Sequence, residues 1–302
     1  MSEGWIMKRF IILILSVLSV SGSVFSQGDS LKDRIAPILE GKKATVGVAV
    51  LFDDNKSFEM NKGDYPMMSV CKFPLALAVL DYLDRNNLSL DTEIFVRKSD
   101  LLPDTYSPLR DQRPQGNFKM TIRELLVYTV SLSDNNTCDI LFGYIGGPKI
   151  VDDYVKRLGV KGISISATEK MMHEGFGKQY LNSATPLSAV LLMNMFLNKD
   201  LFREEYKNCL EEILIQTSTG KDKIKALLPE NVAVGHKTGS SDRDEMGVKA
   251  GDNDLAFVRL PDGRQYCIAV FVRDSKESDK TNAAIIADIS KNVYDYFITK
   301  RP

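Results

Sequence analysis

The sequence predicts an α+β fold: one antiparallel sheet built from both chain ends and flanked by helices, with an all-helical lobe inserted between them. Three observations predict it. Strand-like runs lie near both ends, Ala44 to Phe52 at one and Val232 to Lys237, Asp254 to Leu260 and Tyr266 to Val272 at the other. Helical spacing dominates the middle of the chain. Within that middle, Phe73 to Leu80 is apolar on every side, which marks a fully buried helix rather than an amphipathic surface one. The expected division is residues 27–65 with 216–302 in the sheet lobe and 66–215 in the helical lobe, meeting at a groove.

Residues 1–26 read as a secretory signal peptide. Met7-Lys8-Arg9-Phe10 is a basic start, Ile11 to Val20 an apolar run too short to span a bilayer comfortably, and Ser26 a fitting last residue before cleavage. No cysteine follows the run, so no lipid anchor is expected, and the mature protein is expected to be exported, periplasmic or secreted.

In the mature chain, Leu31, Ile35 and Leu39 have helical spacing and Gly41 can end that helix. The strand Ala44 to Phe52 is followed by a turn at Asp53-Asp54-Asn55 and a hairpin partner at Ser57 to Met60. The central helix follows. Asn86 to Asn117 is rich in Pro, Asp and Asn and shows little periodicity. Thr121 and Glu124 have capping-box spacing at the head of a short helix, Thr121 to Thr129. Asn136 to Tyr144 and Pro148 to Leu158 are helices broken by Gly146-Gly147. Ser164 to Thr185 is polar, irregular and long enough for a functional loop. Helices return at Pro186 to Leu197 and Leu201 to Ile215; Pro261-Asp262-Gly263 turns the last strand pair, and Ala283 to Ile298 closes the chain as an amphipathic helix.

Composition excludes some functions. With 302 residues, net charge −1, one Trp and no basic cluster, nucleic acid is not an expected partner. The two histidines, His173 and His236, have no neighbour at metal-ligand spacing, so no metal or other cofactor is expected. A bridge between Cys71 and Cys138 would require their helices to pack; each of Cys71, Cys138, Cys209 and Cys267 sits in an apolar run, so buried free thiols are expected.

Chemistry is concentrated where the central helix begins. Ser69 and Lys72 form an S-x-x-K pair, which sets a hydroxyl and an amine on neighbouring points of one face. A lysine at the mouth of an apolar helix must be paired or have its pKa pulled down. An amine so tuned can take the serine proton and create a nucleophile. An N-cap serine and a lysine reaching back to water would give the same spacing. A second S-x-x-K, Ser218 to Lys221, has no apolar helix behind it and is not read as a nucleophile. What favours the chemical reading of the first pair is its company: Ser133-Asp134-Asn135 and Lys237-Thr238-Gly239 follow it in order.

With these three motifs the whole mature chain resembles the class A serine β-lactamases, whose fold is shared with penicillin-binding proteins. The stretches Pro66 to Leu80, Leu132 to Asn136, Gly235 to Ser240 and Thr105 to Pro108 resemble a divergent branch that includes the CfxA-type and PER-type cephalosporinases. The resemblance implies hydrolysis of the β-lactam ring of antibiotics through an acyl-enzyme on Ser69, with cephalosporins favoured, by a cofactor-free monomer. It implies that Lys72 manages the serine proton and that Ser133 relays one to the departing ring nitrogen. Backbone N–H groups of Ser69 and Ser240 would form an oxyanion hole. Asn135 would bind the acylamino side chain, and Lys237, Thr238 and Ser240 the substrate carboxylate. Tyr106 would be an aromatic wall, although a plain surface tyrosine reads equally well.

The deacylating base departs from the family pattern. Matching Glu-x-x-Leu-Asn to Tyr180-Leu181-Asn182 would put Lys178 in the glutamate's place, so Glu169 is the better anchor, ahead of Glu174. His173 then replaces the motif's asparagine. Ala167 and Asn182 replace the usual arginine and aspartate that clamp the loop neck, so the loop must be held differently. Met68 and Ser241 stand where several carbapenem-hydrolysing members carry a cysteine pair, which argues against that activity. Lys223 and Lys225 lie where some members keep arginines; Lys223 could help hold the substrate carboxylate, but a surface lysine is the simpler reading. A D-alanyl-D-alanine peptidase would share the nucleophile but stay acylated by β-lactams. A receptor domain would need a membrane segment joined to a signalling module.

Overall fold

Leu31 is the first residue of a helix because Ser30 accepts the Asp33 N–H and caps it. The computed structural model describes residues 30–52 and 56–299, so the signal peptide and the turn at 53–55 lie outside the described residues. After α1 (Leu31–Leu39) come β1 (Thr45–Phe52), β2 (Lys56–Met60), β3 (Tyr65–Pro66) and α2 (Lys72–Arg85). Next are β4 (Glu93–Val96), α3 (Pro108–Gln112), β5 (Phe118–Thr121), α4 (Ile122–Leu126), α5 (Asn135–Ile145) and α6 (Pro148–Arg157). Then come β6 (Ile163–Ser164), α7 (Glu169–His173), β7 (Ser183–Ala184), α8 (Pro186–Asn198) and α9 (Glu204–Ile215). The chain ends with β8 (Ala233–Ser240), β9 (Lys249–Arg259), β10 (Gln265–Ser275) and α10 (Asp279–Thr299).

The main sheet has the order β2-β1-β10-β9-β8 and is antiparallel throughout, so both chain ends do build it. Alternation along the strands feeds two cores. Val46, Val48 and Val50 face α1 and α10 with Ile286 and Val293. Ala49, Leu51, Phe257 and Phe271 face the other way, into a larger core with α2 at its centre. Every residue from Lys72 to Leu80 is buried, as the apolar run requires.

Several expectations need correction. Asn86 to Asn117, expected only to show little periodicity, holds β4, which pairs with β5 just beyond the stretch, and α3, which Ser107 caps. The Ser164 to Thr185 loop contains β6, α7 and β7, short elements with too few residues for periodicity. The strand expected from Asp254 begins at Lys249; Lys249, Asp252, Asn253 and Asp254 are buried polar residues whose partners include Asp279, Lys223, Pro66 and His236, so no apolar run announces the strand's start. The last helix starts at Asp279.

Candidate active site

Met68–Cys71 forms a 3₁₀ turn that runs directly into α2, so Ser69 stands just ahead of the helix and does not cap it. Six described non-glycine residues have positive φ. Four are Asn or Asp, which tolerate it; the others are Met68 (φ 49°) and Ser133 (φ 60°), both on the same cavity. Strain of this kind persists only where the surroundings hold it. Buried Asn253 donates to Pro66 O at 2.7 Å and Met67 O at 3.2 Å, and the Asp134 N–H donates to Tyr128 O. On the other side, a Cβ on Gly239 would sit 2.5 Å from Met67 O and 3.0 Å from Ser69 N. Only glycine lets the end of β8 lie against the backbone of Ser69.

Lys72 is fully buried, not reaching to water. Its Nζ donates to Asn135 Oδ1 (2.6 Å), Ser133 O (2.7 Å) and Ser69 Oγ (3.1 Å), and lies 3.1 Å from Glu169 Oε1. Burial disfavours its charge, but the Glu169 carboxylate beside it outweighs that and holds its pKa above the ordinary lysine range. Of the two alternatives, pairing is therefore realised and depression is not. Depression occurs instead at Lys237, where burial and the nearby charge of Lys72 bring the pKa down to about 7. Lys237 Nζ donates to Ser133 Oγ and to Thr238 O, each at 2.9 Å.

Glu169 opens α7 and is 5% exposed. Its Oε1 makes the ion pair with Lys72 but accepts no hydrogen bond from the described residues. Glu174 is exposed and paired with Lys178 on the outside of the same loop. The missing neck salt bridge has two replacements. Asn182 accepts the Ser166 and Ala167 N–H groups, each at 2.9 Å, and donates to Ala167 O at 2.8 Å. Asp139 accepts the N–H of Glu169 at 2.7 Å and of Lys170 at 2.9 Å. Sequence reasoning missed Asp139; its i, i+4 relation to Asn135 on α5 was the available signal.

Burial, partly offset by those two N–H groups, pushes the Asp139 carboxyl up to about 6. A carboxyl with a raised folded-state pKa is penalised once the unfolded chain ionises it, and the penalty is complete above the folded pKa. Asp139→Asn should therefore gain in Tm relative to wild type as pH rises from 5 to 7.5, by an amount equivalent to roughly 1.5 kcal/mol, about half of the full penalty being already present at pH 5. Calorimetry at the two pH values checks this; an unchanged difference would rule out the titration of Asp139.

These groups meet at a cavity of about 750 Å³ lined by Ser69, Ser133, Asn135, Glu169, Thr238 and Ser240 among others. Lys72 and Lys237 lie immediately behind it. Asn135 spends its amide oxygen on Lys72 and donates to Thr105 Oγ1 at 2.8 Å. Tyr106 stands at the mouth, 57% exposed, and its carbonyl accepts the Asn135 N–H. Lys223 is not a surface lysine: it is buried on the cavity wall and paired with buried Asp252 at 2.5 Å, a carboxylate that needs a counter-charge there. Lys225 is half-buried and donates to Ile215 O. All four cysteines are buried free thiols, as their apolar settings imply.

The profile of the beta-lactamase enzyme family matches residues 30–297. The chain belongs to that family. A Bacteroides uniformis β-lactamase is 46% identical over 293 residues, 96% of this chain and 99% of the relative. The extended-spectrum β-lactamase PER-1 of Pseudomonas aeruginosa is 37% identical over 301 residues, 97% of this chain and 96% of the relative. The crystal structure of a class A representative from Bacteroides cellulosilyticus superposes with a TM-score of 0.87 at 50% identity, covering 89% of this chain and 98% of that one. The α+β fold and the resemblance to class A enzymes with PER-type relatives are therefore correct, and the protein is a serine β-lactamase acting on β-lactams.

Proposed function

We propose that Ser69 opens the lactam ring and that Glu169 drives release of the acyl group. The observation that carries this is the position of one buried ammonium, Lys72, 3.1 Å from both the Ser69 hydroxyl and the Glu169 carboxylate. Lys72 is charged at rest, so it acts as a relay. It gives a proton to Glu169 as it accepts one from Ser69, and the serine oxygen attacks the carbonyl. The backbone N–H groups of Ser69 and Ser240 meet the oxyanion, a role supported by the close approach of Gly239 to Ser69 N. Ser133 then protonates the leaving nitrogen and recovers its proton through Lys72 from Glu169. Glu169 is again a carboxylate and takes the proton of the water that attacks the ester.

Asn135 orients the acylamino group, Tyr106 walls the mouth, and Lys237, Thr238 and Ser240 hold the ring carboxylate. The described residues of 27–65 and 216–302 form one lobe and 66–215 the other, and the two close around the cavity. Its size and the extended-spectrum name of PER-1 support a preference for cephalosporins. Export from the cytoplasm fits the signal-like start, and among the described residues no helix is long and apolar enough to cross a membrane.

A time course with a chromogenic cephalosporin tests the reading. Steady turnover far beyond one equivalent is expected; a single stoichiometric burst would mark a cell-wall peptidase instead. The depressed pKa of Lys237 adds a pH signature. Carboxylate binding needs its charged form, so KM should rise as pH increases through about 7, with kcat less affected. A KM flat from pH 6 to 9 would remove Lys237 from carboxylate binding.

A further inference from the structure

The second S-x-x-K stretch, set aside as a nucleophile, lies on the cavity wall. Its Thr219 and Gly220 both line the cavity beside Thr238. The Thr219 and Thr238 hydroxyl oxygens are 2.7 Å apart, and Thr238 is the one hydrogen-bond partner of the Thr219 hydroxyl among the described residues. Gly220 has φ 68°, and a Cβ there would sit 2.4 Å from Thr238 Cγ2, so the chain is drawn as close to Thr238 as a backbone allows.

The segment is also anchored on both sides of the cavity. Ser131 Oγ donates to Gln216 O at 3.0 Å, and Ser131 O accepts the Ser218 N–H at 3.3 Å, two residues before Ser133. Thr217 Oγ1 donates to His236 O at 2.9 Å, next to Lys237 on β8. Residues 216–220 thus form a strap from the Ser133 loop to the strand that carries Lys237 and Thr238.

We propose that Thr219 is a positioning residue that aims the Thr238 hydroxyl at the carboxylate of the substrate. This rests on the reading of Thr238 as a carboxylate-binding group. A hydroxyl can donate one hydrogen and accept others. When Thr219 donates into Thr238 Oγ1, the Thr238 hydrogen is left to point into the cavity, where an anion accepts it. The two bonds in line polarise each other, so the outer one strengthens. Without Thr219 the Thr238 hydroxyl rotates freely and loses that bias. The contribution belongs to binding of the carboxylate and not to bond making at Ser69.

The test compares a cephalosporin with its ring-carboxylate methyl ester, using wild type, Thr219→Val, Thr219→Ser and Thr238→Val. Thr219→Val should raise KM for the free acid about fivefold to tenfold, with kcat changing by less than about twofold and KM for the ester unaffected. Thr219→Ser, which keeps the hydroxyl, should restore KM to within about twofold of wild type. An equal rise of KM for acid and ester, or failure of serine to rescue, would show a structural role and overturn the proposal. Thr238→Val separates the two levels of the argument. If its KM rises no more for the free acid than for the ester, the carboxylate role of Thr238 fails and takes this proposal with it. If its KM rises selectively for the free acid and that of Thr219→Val does not, only the positioning role fails.

Discussion

Covalent labelling by penicillin and hydrolysis should disappear together in Ser69→Ala, with kcat falling roughly 10⁴-fold or more, as for other serine nucleophiles. The fold should survive. Ser69 is half-buried and its side chain accepts one hydrogen bond, from Lys72, which keeps Asn135, Ser133 and Glu169 as partners. A near-normal circular dichroism spectrum with no acyl adduct by intact mass is the expected pair of results. Hydrolysis that persisted in this variant would mean that another group attacks the ring.

Glu169→Gln should uncouple the two halves of the reaction. The amide cannot take a proton from water, so turnover should fall about 10³-fold while an acyl adduct of one equivalent accumulates. Acylation should slow as well, because Lys72 loses the carboxylate to which it passes the serine proton. Removing that charge also removes the main support for the Lys72 ammonium, which is otherwise penalised by burial. Intact mass after seconds and after minutes distinguishes the steps. Steady turnover in both proteins would keep Ser69 as nucleophile and return the search for the base to Glu174 or another group.

The architecture was legible where local pattern and burial agree. The apolar run from Phe73 to Leu80 marked a buried helix, and the strand-like runs near both chain ends pointed to one shared sheet. The three motifs located the site because each must present its side chain from a fixed piece of backbone: a helix start, a strained loop at Ser133, and a strand end kept open by Gly239. Glu169 was singled out because the other register puts Lys178 in the glutamate's place, and it lines the cavity beside Lys72. The short elements between Asn86 and Thr121 were not legible, since a four-residue strand such as β4 carries too little pattern to declare itself.

What the sequence by itself determined, then, is the topology, the family and the residues that gather at the cavity, since these follow from hydrophobic periodicity and from side chains whose spacing is local. Protonation and placement were decided only in three dimensions. Lys72 and Lys237 look alike in sequence, yet one sits 3.1 Å from a carboxylate and keeps its charge, while the other is buried beside a second lysine and is pulled toward neutrality. Asp139 and Asn182 hold the Glu169 loop from different sides, and Asp252 draws Lys223 into the wall. A pKa or a clamp depends on distances between groups far apart in the chain and on the water excluded from between them, and neither exists until the fold has closed.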